Sequence, residues 1–133
     1  MITRTPDWPD LLSSFIEGRR NSPFEWGKND CCLFASDWVY LCTGVDPALG
    51  IRGTYNSALS AARILQDNGG ITAMVKLLGL SSVPIGFSKR GDLAVKDFGD
   101  GETIGIVIGS VAAFTGKDAL IFCSTEEAIC WRL

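Results

Sequence analysis

Histidine is missing from all 133 positions, and with it the side chain whose unperturbed pKa best suits proton transfer near neutrality. Imidazole-based acid–base chemistry and histidine ligation of a metal are therefore excluded. No Cys-x-x-Cys pair is present either, so zinc is not expected and no cofactor is implied. Long apolar runs are also lacking. The longest, residues 104–114, is interrupted by Gly105 and Gly109 and falls short of the ~20 residues a membrane span requires. Basic stripes are absent: Arg19-Arg20 and Lys89-Arg90 are only pairs, and the net charge is −3. Nucleic acid is thus not an expected partner. The first ten residues contain Pro6, Pro9, Asp7 and Asp10 and no apolar core, so they do not read as a secretory signal. A soluble chain made in a cytoplasm, with its five cysteines reduced, is the expectation.

What is present fits one domain spanning residues 1–133. Fifteen glycines exceed the usual ~7% and point to many turns and short strands. The first half reads as helix. Pro6 and Pro9 suit a helix start, Trp8, Leu11, Leu12, Phe15 and Ile16 share one face, and Gly18 is expected to end it. A second helix begins after Asp30, a good N-cap, and carries Cys31, Phe34, Ala35, Trp38, Leu41 and Cys42 as its apolar stripe, with Gly44 as the C-terminal stop. Residues 45–55 read as a loop. A third helix over residues 57–68 is expected to turn Ala58, Leu59, Ala62 and Leu65 inward, and a short fourth over residues 72–78 to turn Met74, Val75 and Leu78 inward.

From Pro84 onward the apolar period changes to two. Leu93 and Val95 alternate with Ala94 and Lys96, and Asp100-Gly101 marks a hairpin. Ile104, Ile106 and Ile108 form the next strand. Residues 111–114, 119–123 and 128–131 are expected to complete an antiparallel meander. Helices followed by strands give an α+β class, with the N-terminal helices packed on a C-terminal antiparallel sheet. Cys42, Cys123 and Cys130 sit among apolar neighbours and read as core residues, as does Trp38, while Trp26 reads either as a core aromatic or as a side chain lining a cleft.

Cys31 is the candidate for chemistry. A cysteine in the first turn of a helix gains thiolate character from the free N–H groups there. Asp30 opposes this, since a neighbouring carboxylate disfavours a second negative charge. Without an imidazole, a mostly protonated Cys31 is expected at pH 7. The competing reading is that Cys31 is merely the first apolar position of the stripe. Asp97, Asp100 and Glu102 flank the hairpin, but a solvated carboxylate with a pKa near 4 is a poor base for a thiol. Tyr55 and Arg52 either line a cleft above Cys31 or pack the loop. Trp131-Arg132 either forms the last strand or docks a neighbouring subunit.

Trp26-Gly27, Asp30-Cys31 and Phe34 resemble the nucleophile segment of the NlpC-type papain-like cysteine peptidases. Gly91-Asp92-Leu93 resembles that family's turn before its first core strand, and residues 104–109 resemble its His-x-Gly-Ile-x-x-Gly strand. The likeness covers residues 24–116. Pro23-Phe24-Glu25-Trp26-Gly27, Asp46-Pro47, Arg52-Gly53, Tyr55 and Trp131-Arg132 are similar, more narrowly, to a small family of phage and prophage proteins encoded among tail genes. The resemblance implies an NlpC-like fold with Cys31 at the nucleophile position. It also implies that Thr103 and Thr115 stand where the peptidases carry histidines. Implied with it are a tail-tip or baseplate protein without catalysis, other tail proteins and peptidoglycan peptides as partners, and a location in the virion. The alternative is a working thiol hydrolase that cuts peptidoglycan stem peptides with a carboxylate or partner-supplied base.

Overall fold

The computed structural model describes residues 2–84 and 86–133. Four helices come first: α1 (Trp8–Arg19), α2 (Cys31–Thr43), α3 (Ala58–Asp67) and α4 (Ile71–Leu77). Six strands follow: β1 (Ser82–Val83), β2 (Leu93–Asp97), β3 (Glu102–Val107), β4 (Val111–Phe114), β5 (Ile121–Ser124) and β6 (Ile129–Trp131). The class is α+β, as the switch of apolar period indicates. No helix among the described residues is long and apolar enough to cross a membrane.

Local chemistry sets the helix ends. The Asp30 carboxylate accepts the Leu33 N–H and caps α2. At the other end Gly44, with φ 79°, takes the left-handed conformation and donates its N–H to Tyr40 O. Ser57 and Ser60 cap α3 reciprocally. Gly18 does not stop α1, which runs through Arg19; glycine inside a helix costs only about 1 kcal/mol against alanine.

The core lies between α2 and the sheet. Phe34, Ala35, Trp38, Val39 and Cys42 are buried against Leu93, Val95, Ile104 and Ile106. Leu41, expected on this stripe, is exposed, because the buried arc of α2 is centred on Trp38 and Cys42. The Trp38 indole meets its hydrogen-bonding need by donating to Gly91 O at 3.0 Å. Leu65 packs inward as expected, but α3 is rotated so that Ala61 and Ile64 join it, while Ala58, Leu59 and Ala62 face solvent. In α4, Ile71 and Val75 are buried.

The sheet order is β1-β6-β2-β3-β4-β5, antiparallel throughout. Strands β2 to β5 form the expected meander, but β6 leaves it. It crosses back to pair with β2 (Leu93↔Trp131, Ala94↔Cys130), and the short β1, unforeseen in the sequence, pairs with its far side. Burial explains the crossover. Cys130 and Trp131 become buried beside β2, whereas β5 is a largely exposed edge that would leave them in water. Cys42 and Cys130 are core residues, while Cys123, on the outer strand, is only partly buried.

One close approach and one buried carboxylate fix the sheet. A Cβ on Gly105 would lie 2.3 Å from Ala113 O and 2.7 Å from the Phe114 ring, so β3 and β4 fit only around glycine there. Asp92, fully buried, ties the start of β2 to both ends of the described chain. It accepts from Arg4 Nη2 at 2.8 Å, Arg132 Nε at 3.1 Å, the Leu133 N–H at 3.2 Å and the Lys89 N–H at 2.9 Å. This places Trp131-Arg132 in and beside the sheet.

Candidate thiol site

A tight turn presents the first residues of α2. Glu25 and Asn29 pair across it, and Gly27 sits at φ +81°. A Cβ on Gly27 would fall 2.3 Å from Tyr55 O, so the turn lies flush against the loop that carries Tyr55. The Gly27 N–H donates to Asp30 Oδ2 at 3.0 Å, and the Tyr55 hydroxyl donates to the same oxygen. Asp30 Oδ1 accepts from Leu33 N at 2.9 Å. Asp30 is buried with both oxygens engaged, so it caps the helix and fixes the turn and is not free to take a proton from a thiol. Burial, then the bond to Asp30, pushes the Tyr55 hydroxyl pKa upward, which keeps it a donor.

Cys31 is partly buried and faces β3. The Cys32 thiol, the Thr103 hydroxyl and the Ile104 N–H are the donors that bear on its charge. Donation from Cys32, the largest influence, together with Thr103 and Ile104, outweighs burial and the Asp30 charge. These donors lower the Cys31 pKa to about 7. Cys32 shifts upward for the complementary reason: it keeps its proton to donate to Cys31, and burial adds to this. Cys31 is therefore the thiol of the pair that ionises first. With a pKa of about 7, Cys31 is more ionised at pH 7 than a thiol beside Asp30 was expected to be, and the adjacent Cys32 is the main cause.

A cleft of about 390 Å³ opens over this pair, lined by Trp26, Asp30, Cys31, Tyr55, Thr103 and Thr115 among others. Thr103, on β3, and Thr115, just past the end of β4, are thus brought to one cavity with Cys31. Trp26 is 38% exposed at the cleft, edge-on to Phe24 with ring centroids 4.6 Å apart, and is not a core aromatic. Asp100 and Glu102 line the cleft but are exposed, and Glu102 accepts from Thr72 Oγ1 at 2.6 Å. Asp97 lies outside it and caps the hairpin turn through the Gly99 and Gly101 N–H groups. Arg52 does not line the cleft. It pairs with Asp37 at 2.6 Å and Asp46 at 2.8 Å, and the Asp46 bond first of all raises its pKa. Its role is to hold the loop on α2.

A second, mostly apolar cavity of about 210 Å³ lies beyond Cys32, which lines both spaces together with Ile51, Ile71 and Met74. The adjacent Cys31-Cys32 pair is the signal that could have pointed to it, since neighbouring helix residues project about 100° apart. Among the described residues no group of three or more cysteines or carboxylates is arranged to hold a metal.

A family model described as a domain of unknown function (DUF6950) matches residues 3–133. No curated protein and no solved structure matches the chain.

Proposed function

The chain belongs to the DUF6950 family, and we propose that it is a structural or assembly component of a phage or prophage tail tip or baseplate, built on an NlpC-like, papain-like peptidase fold that no longer hydrolyses peptides. One observation carries the loss of hydrolysis: Thr103, at the position where the resembling peptidases carry their base, is the residue that shares the cleft with Cys31. Amide hydrolysis needs a group that protonates the leaving amine and later deprotonates water. A threonine hydroxyl does neither near neutral pH, and Asp30 is fully occupied by the helix cap, Gly27 and Tyr55. The cleft then serves as a docking groove for other tail proteins or for peptidoglycan peptides. The placement in a tail rests on the sequence resemblance.

A second reading is favoured by the lowered pKa of Cys31. In that reading the chain is a thiol hydrolase of peptidoglycan stem peptides, and a partner chain supplies the missing base. The two readings separate by incubating the isolated chain, and the chain assembled with its tail proteins, with purified peptidoglycan and γ-glutamyl–diaminopimelate peptides. No new amine is expected from the isolated chain. Amine released by the isolated chain and lost in Cys31→Ser overturns the first reading, and release only in the assembly selects the second. Mass spectrometry of purified particles tests the tail placement, with the chain expected among the virion proteins.

A further inference from the structure

We propose that Cys31 is an acyl acceptor, taking a short-to-medium acyl group from an acyl thioester and lodging the chain in the apolar cavity beyond Cys32. The proposal rests on the reading of the cleft as a thiol site without a general base.

A nucleophile with no base beside it is restricted to reactions that require no proton transfer. Amides and esters fail this condition, because an amine or alkoxide leaves only with a proton. A thioester meets it. The Cys31 thiolate attacks the carbonyl carbon, the new S–C bond forms as the old C–S bond breaks, and the leaving group departs as a thiolate. That thiolate is a stable anion, which takes its proton from water afterwards. The electron pair of the broken bond stays on the departing sulfur, and no oxidant or reductant enters. The thiolate character of Cys31 supports the first step. The amides of Cys31 and Cys32, in the first turn of α2, have no acceptor among the described residues. They are therefore available to the oxyanion.

The cavity selects the substrate. Ala35, Val39, Val75 and Leu93 supply its apolar wall. Cys32, Ile51, Ile71 and Met74 line both this cavity and the cleft that holds Cys31, so the two spaces adjoin. Met74, partly buried and lining both spaces, is a flexible unbranched side chain that can yield to an entering acyl chain. An aliphatic cavity of ~150 Å³ stays dry and takes a benzene-sized guest. The 210 Å³ here suits a chain of about six carbons by the same measure. A polar disulfide, the other class of electrophile open to a bare thiolate, makes no use of such a wall. With no base to activate water, the acyl group stays on Cys31, so one group per chain accumulates.

The test uses the full chain with acetyl and hexanoyl thioesters of N-acetylcysteamine. Adducts are read by intact mass and peptide mapping, and rates are normalised to those of free cysteine. Each buried methylene is worth about fourfold. The normalised hexanoyl rate is therefore expected to exceed the acetyl rate at least tenfold, with one label per chain, mapped to Cys31 and lost in Cys31→Ser. Met74→Trp, which fills the passage, is expected to bring the ratio toward one. Equal normalised rates in the unaltered chain, or a label on another cysteine, overturn the proposal without touching the tail-component reading. Peptide cleavage overturns that reading and leaves the chain-length ratio as it was.

Discussion

Cys31 shares its cleft with the Thr103 hydroxyl and with a second thiol on the next residue. Cys32 is the largest influence on the Cys31 pKa, and burial works the other way. Thiolate is the reactive form, so iodoacetamide labelling of Cys31 is expected to rise with pH through a midpoint of about 7 and to level off above it. Cys32→Ala removes the main donor and is expected to move the midpoint up toward the ordinary thiol value near 8.5. Stopped-time alkylation followed by peptide mapping measures both. Cys31 as the presented thiol and Asp30 as the cap were readable in the sequence, because each follows from the spacing of a single helix. The roles of Cys32 and Tyr55 were not. Neighbouring helix residues point about 100° apart, so thiol–thiol proximity depends on side-chain rotation. The reach of Tyr55 to Asp30 depends on the path of a loop without periodicity.

At the scale of elements, the turn ahead of α2 matters most. Gly27 needs both its positive φ and its bare α-carbon against Tyr55 O. Gly27→Ala would strain the backbone and separate the turn from the Tyr55 loop, loosening the bonds that converge on Asp30. A loss of about 2 kcal/mol or more is expected, read as a lower urea midpoint. A Cys31 alkylation profile that no longer has its midpoint near the neutral value should accompany it. Helix existence was legible from periodicity, but helix rotation was less so. Leu65 fits an apolar face with Ala58, Leu59 and Ala62 as well as one with Ala61 and Ile64, and packing of Ala61 and Ile64 beside Leu33 and Ala48 chooses the second. The strands β2 and β3 were plain from their alternation, while two-residue β1 is too short to carry a period.

For the whole molecule, the buried Asp92 and its two arginines join segments that no local rule connects. Arg4 is almost fully buried, so Asp92→Asn leaves its charge without a counterion; Arg132 is more exposed and loses less. Removing one partner of a buried pair costs about 3 kcal/mol or more, and the variant is expected to unfold at correspondingly lower urea with an unchanged slope. The position of β6 was hidden for a related reason. An alternating strand announces that it pairs but not with which neighbour, and the choice of β2 over β5 is made by burial of Cys130 and Trp131.

That return of β6 has a kinetic corollary. Hairpins β2–β3 and β3–β4 join near neighbours and can zip early, whereas pairing of Leu93 with Trp131 must first close a long loop. Thr103 and Ile104 belong to the early half, so the wall facing the sulfur is assembled before the sheet receives its last inner strand. Refolding should accordingly show the β2–β4 amides protected from solvent exchange ahead of those of β6.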